Sequence, residues 1–155
     1  MAKHELERVE LTNMCAIIDE ENQKVVVQKR VKSWCGITFP GGHVERAEAI
    51  VPSTIREIKE ETGLDIRDLK ACGIKDWYNP ETSSRYIVFL FATTNFSGNL
   101  LEETAEGEVY WEDIEKLPDL ELSSGFWEMA EMMLSRKYAE FSYLIDGKDW
   151  IKNFY

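Results

Sequence analysis

The sequence predicts an α/β (α+β) sandwich built on a mixed sheet. Strand-length apolar runs recur along the chain, helical patterns interrupt them over residues 48–62 and after residue 124, and one run is apolar enough to lie inside a sheet. The 155 residues, 44% of them hydrophobic, suffice for one domain spanning residues 1–155 with its own core. No internal repeat, low-complexity tract or Pro/Gly/Ser linker divides them.

Val9–Ile18 and Val25–Arg30 read as strands around the polar turn 19–23. A loop over 32–36 leads to a short strand ending at Phe39-Pro40-Gly41-Gly42. From Glu48 to Thr62 the pattern is helical, with Val51, Ile55, Ile58 and Thr62 on one stripe. Pro52 fits the first turn, where its missing N–H removes no helical bond. Gly63 reads as the C-terminal cap, with Leu64 folded back onto the helix. Ile66–Trp77 and Tyr86–Thr93 read as strands, and the second, apolar at nearly every position, predicts burial on both faces. Phe96–Asn99 reads as a turn, Glu108–Glu112 as a short strand and Asp113–Leu117 as a helical turn. Ser124 looks like the N-cap of a helix reaching Lys137, and Lys148–Tyr155 predicts a short terminal helix.

Acids outnumber bases by 29 to 18, a formal charge of −11. Such a surface repels nucleic-acid backbones and anionic membranes, so neither polymeric nucleic acid nor a membrane is an expected partner. No apolar run approaches the roughly 20 residues of a membrane span. The N-terminal stretch 1–8 alternates charge without the apolar core of a secretion signal. Cys15, Cys35 and Cys72 are odd in number, widely spaced and without a CxxC pair, which predicts reduced thiols and a cytoplasmic setting. Two histidines are too few for a His-rich metal site.

The chemistry concentrates in Gly41–Leu64 (GGHVERAEAIVPSTIREIKEETGL). With Glu57 at zero on a helical wheel, Glu60 falls at about −60° and Glu61 at about +40°, so three carboxylates share one face. The apolar stripe centres about 130° away and can dock on a sheet. A solvated acidic face is one reading, since like charges a turn apart cost only about 0.2–0.5 kcal/mol per pair. A site for a hard cation is the other, because Mg²⁺ takes carboxylate, water and phosphate oxygens.

The segment resembles the Nudix box: Gly, five residues, Glu, seven residues, Arg-Glu-apolar, one residue, Glu-Glu, one residue, Gly-apolar. Gly42, Glu48, Arg56-Glu57-Ile58, Glu60-Glu61 and Gly63-Leu64 meet every fixed position. A chance match is on the order of one in a million. The resemblance implies the Nudix fold, an α/β/α sandwich, and a hydrolase that cleaves a nucleoside diphosphate linked to another group, a small-molecule nucleotide substrate. It implies Mg²⁺ (or Mn²⁺) held by Glu57, Glu60, Glu61 and the Gly41 carbonyl, with Arg56 clamping Glu60. Glu48 would hold the loop into the helix, or serve as a plain first-turn acid favoured by the helix dipole. A later glutamate often adds a ligand or base in the family, and Glu106, preferred over Glu108, takes that place.

From Thr12 to about Met133 the chain is similar to the MutT/MutX-like branch, which sanitises oxidised purine nucleotides such as 8-oxo-dGTP. Gln28-Lys29-Arg30, Phe39–Glu45, Gly73–Trp77, Arg85–Val88 and Gly107–Trp111 carry this likeness. It implies a phosphate contact for Arg30 and, secondarily, Arg85, each otherwise a strand-end cation, and a DNA-repair role in clearing the nucleotide pool. Trp34, Phe39, Trp77 and Tyr78 are candidates to stack on a purine or to fill the core. The same box also serves ADP-ribose, dinucleoside polyphosphate and nucleotide-sugar cleavage, and a non-catalytic sensing module would show degenerate carboxylates, whereas here all three are intact. His43 is a candidate general base. The aromatic and methionine-rich stretch 123–155 predicts packing or a homodimer interface.

Overall fold

The two N-terminal apolar runs fold as a hairpin whose strands then part. The computed structural model describes residues 4–155; residues 1–3 of the charged N-terminal stretch lie outside the described residues. The strands begin with β1 (Arg8–Asp19), β2 (Lys24–Arg30) and β3 (Gly36–Thr38), followed by helix α1 (Ile50–Thr62). Then come β4 (Asp65–Arg67), β5 (Lys70–Asn79), β6 (Ser84–Thr93), β7 (Asn95–Ser97), β8 (Glu103–Thr104) and β9 (Gly107–Asp113). A 3₁₀ helix (Ile114–Asp119), helix α2 (Phe126–Ser135), β10 (Glu140–Asp146) and β11 (Asp149–Phe154) complete the chain.

β1 and β2 pair antiparallel only beside their turn, at Ile18↔Val25 and Asp19↔Lys24. From there β1 runs parallel to β6 along its length, and β2 joins β3 and β9 instead. The order across the sheet is β11-β10-β5-β6-β1-β2-β9-β8, with β3 on β2. A small sheet, β4-β7, lies apart.

Strand alternation sends successive side chains to opposite layers. Cys15, Ile17, Val26 and Phe91 pack with Ile58 of α1 on one face, and Ala16, Val25, Val27, Leu90 and Ala92 pack with Phe126, Met129 and Met133 of α2 on the other. Two helical layers therefore enclose the sheet, as the sequence predicts. Phe126 meets Phe39 edge to face with centroids 4.8 Å apart, and both are buried.

Several expectations are corrected. Ile66–Trp77 is two strands, because Asp68 takes a left-handed φ of 52° and breaks the run. The turn expected at Phe96–Asn99 begins as strand β7, paired with β4. β6 is fully buried only towards its C-terminal end, where Leu90 and Ala92 pack with α2 residues and Phe91 packs with Ile58 of α1. Val51 is exposed, and Ser53, Thr54, Ile58 and Thr62 form the docking face of α1. Glu48 precedes this helix rather than lying in its first turn. The expected helix over Lys148–Tyr155 is instead strand β11 from Asp149: Gly147-Lys148 form a two-residue turn, with Gly147 at φ 61°, and β10 and β11 pair antiparallel across it. The Ser124 N-cap gives way to Gly125, and α2 stops at Ser135. Gly125 takes a left-handed φ of +74°, which favours glycine, and a Cβ there would push on the Tyr143 hydroxyl and Lys75 Nζ. The methionines and Phe126 and Phe141 of the tail are spent inside this core.

Candidate active site

The segment leading into α1 is stitched to the edge of β1 that β2 leaves free. There the Asn13 N–H donates to the Gly42 carbonyl at 2.8 Å, the Cys15 N–H to the Pro40 carbonyl at 3.0 Å and the Val44 N–H to the Leu11 carbonyl at 3.0 Å. Among the described residues no hydrogen bond reaches the Gly41 carbonyl between them. Asn13, buried on β1, completes the joint: Oδ1 accepts from the Gly42 N–H at 3.1 Å and Nδ2 donates to Ser53 Oγ in α1 at 3.0 Å. A Cβ on Gly41 would collide with the Asn13 carbonyl, so that position needs glycine for close approach, and one on Gly42 would displace the Glu57 carboxylate.

Arg56 is the hub of the carboxylate cluster. Its Nε and Nη2 donate to both oxygens of Glu48 at 2.9 and 3.0 Å, Nη2 also reaches the His43 carbonyl at 3.0 Å, and Nη1 donates to Glu57 at 2.9 Å. Glu60, mostly exposed, is the weakest partner at 3.4 Å. The expected clamp on Glu60 is thus mainly a fork onto Glu48 with an arm on Glu57, because Glu48 can be met along two parallel N–H directions. These bonds hold the Arg56 guanidinium firmly protonated and Glu48 below the usual carboxylate range. Glu48 also accepts from the Glu45 N–H at 2.9 Å, which pins the loop into the helix.

Glu61 is half-buried. It accepts from the Gly41 N–H at 3.1 Å, but burial, and then the nearby Glu57 and Glu106 charges, push its pKa up to about 7. Glu106 stands 3.9 Å from Arg30 and 3.8 Å from Lys32, while Glu108 is exposed on β9. Arg30 Nε is buried without a partner, and Nη2 donates to Ser33.

Glu57, Glu61, Glu106, Arg30 and Gly41 line a cleft of about 520 Å³ together with Trp34, Lys75, Trp77 and Phe39. Its floor follows one row across the sheet: Lys75 of β5 lies opposite Val88 of β6, Val88 opposite Thr12 of β1, and Thr12 bridges to His43. Three strand spacings, about 14 Å, separate the aromatic wall on β5 from the glycine loop. The carboxylates occupy one side and the rings the other.

A family model described as the NUDIX domain matches residues 10–133. The chain belongs to the Nudix family. It is similar to the uncharacterised Nudix hydrolase YvcI of Bacillus subtilis, 27% identical over 123 residues that cover 76% of this chain and 75% of the relative. It is also similar to an 8-oxo-dGTP diphosphatase of Proteus vulgaris, 30% identical over 90 residues, 56% of this chain and 78% of that one. The solved MutT protein of Bacillus halodurans shares the fold with a TM-score of 0.72 at 21% identity, covering 93% of this chain and 97% of the other. The protein is therefore a Nudix hydrolase acting on nucleoside diphosphate-linked substrates, a family that generally uses divalent cations. Among the described residues no helix is long and apolar enough to cross a membrane.

Within this Nudix fold the sequence-predicted residues divide. Gly41, Glu57, Glu61, Glu106 and Arg30 meet at the cleft. Glu60 sits on the outer side of α1, and among the described residues no three acidic, histidine or cysteine side chains already converge as metal ligands. The oxygens that do gather fit a hard cation: two carboxylates, an open carbonyl, and in Glu61 a half-buried acid whose one positive neighbour, Arg30, does not offset the desolvation and the Glu57 and Glu106 charges. Arg85 lies outside the cleft, donating to Glu7 at 2.9 Å and to buried Asp76. His43 lines the cleft rim, where its exposed ring pairs with Glu10 at 2.7 Å. Trp34, Phe39 and Trp77 line the cleft, and Tyr78 does not. Sequence reasoning missed Asn13 and Lys75, each a polar residue within a strand pattern, the one signal that could have marked them.

Proposed function

We propose that the protein is a Mg²⁺-dependent (or Mn²⁺-dependent) nucleoside triphosphate pyrophosphohydrolase that converts oxidised purine nucleotides such as 8-oxo-dGTP to the monophosphate and pyrophosphate. The observation that carries this reading is the cleft itself, with carboxylates and Arg30 on one side and flat aromatic walls about 14 Å away on the other. That division suits a molecule with an anionic polyphosphate at one end and a planar base at the other.

Glu57, Glu61 and the Gly41 carbonyl would hold the cation, with Glu60 turning in from the rim of α1. The cation, when bound, would neutralise phosphate charge and activate water. Arg30, whose Nε lacks a partner, would take a phosphate oxygen. Glu106 would supply the additional ligand or base from across the cleft. Arg56 positions Glu57 and, through Glu48, the loop that carries Gly41. Trp34 and Trp77, with centroids 6.3 Å apart, would flank the base. This reading extends to a single domain over residues 1–155.

Incubating the protein with 8-oxo-dGTP, dGTP, dATP and ADP-ribose, with Mg²⁺ or with EDTA, tests the proposal. The expected result is monophosphate and pyrophosphate from the triphosphates, fastest from 8-oxo-dGTP, and nothing in EDTA. Cleavage of ADP-ribose without any triphosphate hydrolysis would overturn it.

A further inference from the structure

Lys75 is a lysine in an unusual place. It lies on β5 between β6 and β10, only 4% exposed, and among the described residues its ammonium meets no hydrogen-bond acceptor. Three rings surround Nζ instead: Tyr143 at 5.3 Å, Phe141 at 5.5 Å and Trp77 at 5.6 Å. The carboxylate whose charge acts on it, Glu128, is already bridged by Lys152. Cation–π attraction offsets part of the lost hydration, yet an ammonium has three donors and the rings satisfy none of them by hydrogen bonding. Lys75 borders both the main cleft and a neighbouring cavity of about 390 Å³, with Trp34, Trp77 and Ser124 common to the two. Its donors therefore face space that a ligand enters.

The chemistry of that ligand follows from the surroundings. A phosphate would call for several converging donors, and the aromatic side holds one unpaired cation among Trp34, Trp77, Phe126 and Met129. A flat ring fits such walls, and a ring carbonyl supplies the acceptor that Lys75 lacks. We propose that Lys75 is a specificity-determining residue that donates to a ring carbonyl of the nucleobase and so selects oxo bases, guanine and hypoxanthine, over the amino base adenine. This rests on the nucleotide reading above and names the base class for the same cleft. Lysine donating to guanine O6 and N7 is a recurring base contact, whereas the adenine amino group meets the ammonium donor to donor. A buried ammonium left facing a donor penalises the wrong base as well as favouring the right one.

Binding of inosine and adenosine monophosphates in EDTA, followed by quenching of tryptophan fluorescence from Trp34 and Trp77, isolates this contact from catalysis. The wild type is expected to bind the inosine nucleotide about 10–100-fold more tightly, and Lys75→Met to bring the two within about threefold by weakening inosine binding alone. Lys75→Arg, which keeps a donor, retains preference for the oxo base and covers the case in which the methionine variant does not fold. In hydrolysis of dITP against dATP the methionine change should raise KM for dITP and leave kcat within about threefold. Equal binding of the two monophosphates by the wild type, or an unchanged ratio in Lys75→Met, overturns the inference. A Lys75-dependent preference without hydrolysis of any triphosphate would sink the triphosphate reading and leave this one standing. Hydrolysis without a base preference would do the reverse.

Discussion

The two sides of the cleft are built by opposite means. On the carboxylate side Gly41, Gly42, Arg56, Glu57 and Glu61 come from one short segment, held by one helix and one guanidinium. On the aromatic side Trp34 comes from the loop after β2, Lys75 and Trp77 from β5, Phe126 and Met129 from α2, and Tyr143 from β10. Each side also carries one ionisable group displaced from its ordinary range, in opposite directions. Burial raises Glu61 to about 7 and lowers Lys75 to about 8. Both are groups whose charge the protein leaves poorly satisfied, which is how residues that receive a ligand commonly stand. The difference lies in what supports them. Glu61 depends on local geometry within one segment, and Lys75 on packing among four parts of the chain.

Substitutions on each side should break different properties. The largest effect is expected from Glu61→Gln, which should lower kcat about 10³-fold and abolish any rise in melting temperature produced by added Mg²⁺. Steady-state kinetics and melting curves with Mg²⁺ or EDTA check both; a variant that keeps its Mg²⁺-dependent shift would remove Glu61 from the cation site. Gly42→Ala should follow with roughly a 10²-fold loss of kcat, because its Cβ displaces the Glu57 carboxylate by a fraction of its own size. Nucleotide monophosphate binding in EDTA should be spared in this variant, since the aromatic side is untouched.

Lys75→Met should trade base selection for stability. The unfolded chain, with lysine near 10.5, binds more protons than the folded one between pH 8 and 10.5, so wild-type stability should rise with pH across that window. Below pH 8 the full burial cost remains, and removing the ammonium at pH 7 should stabilise the fold by roughly 2 kcal/mol, or about 4–8 °C in Tm. Melting curves from pH 7 to 10 would show the two proteins converging as pH climbs; a methionine variant that melts lower at pH 7 contradicts this. The smallest effect on catalysis belongs to Arg85→Ala, whose kcat/KM should stay within about twofold because the side chain serves Asp76 and Glu7 outside the cleft. Its melting temperature should fall, since Asp76 is buried and loses its charge partner. A large rise in KM instead would return Arg85 to the phosphate contact that its sequence neighbourhood suggests.

How far each side is readable from sequence follows from the same contrast. The spacing from Gly42 to Leu64 places Glu57 and Glu61 on one face of one helix, because helical geometry converts sequence distance directly into angle. Even there the partners shift: Arg56 is one turn from Glu60 in sequence, yet tertiary folding brings Glu48 to it in better alignment. Asn13 and Lys75 are polar residues in strand patterns, each beside another polar residue (Thr12 and Asp76), and nothing local reveals that one ties the glycine loop to α1 while the other faces a cavity.

The sequence by itself determines the principal strands β1, β2, β6 and β9, the carboxylate helix and its glycine entry, because each is a local periodicity or a contiguous motif. The tertiary structure alone decides that β1 and β2 part after their turn and so open an edge for the glycine loop. It alone sets β10 beside β5, in parallel register from Glu140↔Ile74 to Tyr143↔Trp77, and so adds the terminal hairpin to the sheet. It alone gathers the aromatic wall around Lys75. Pairings between distant strands, unlike helical turns, have no fixed sequence interval to announce them.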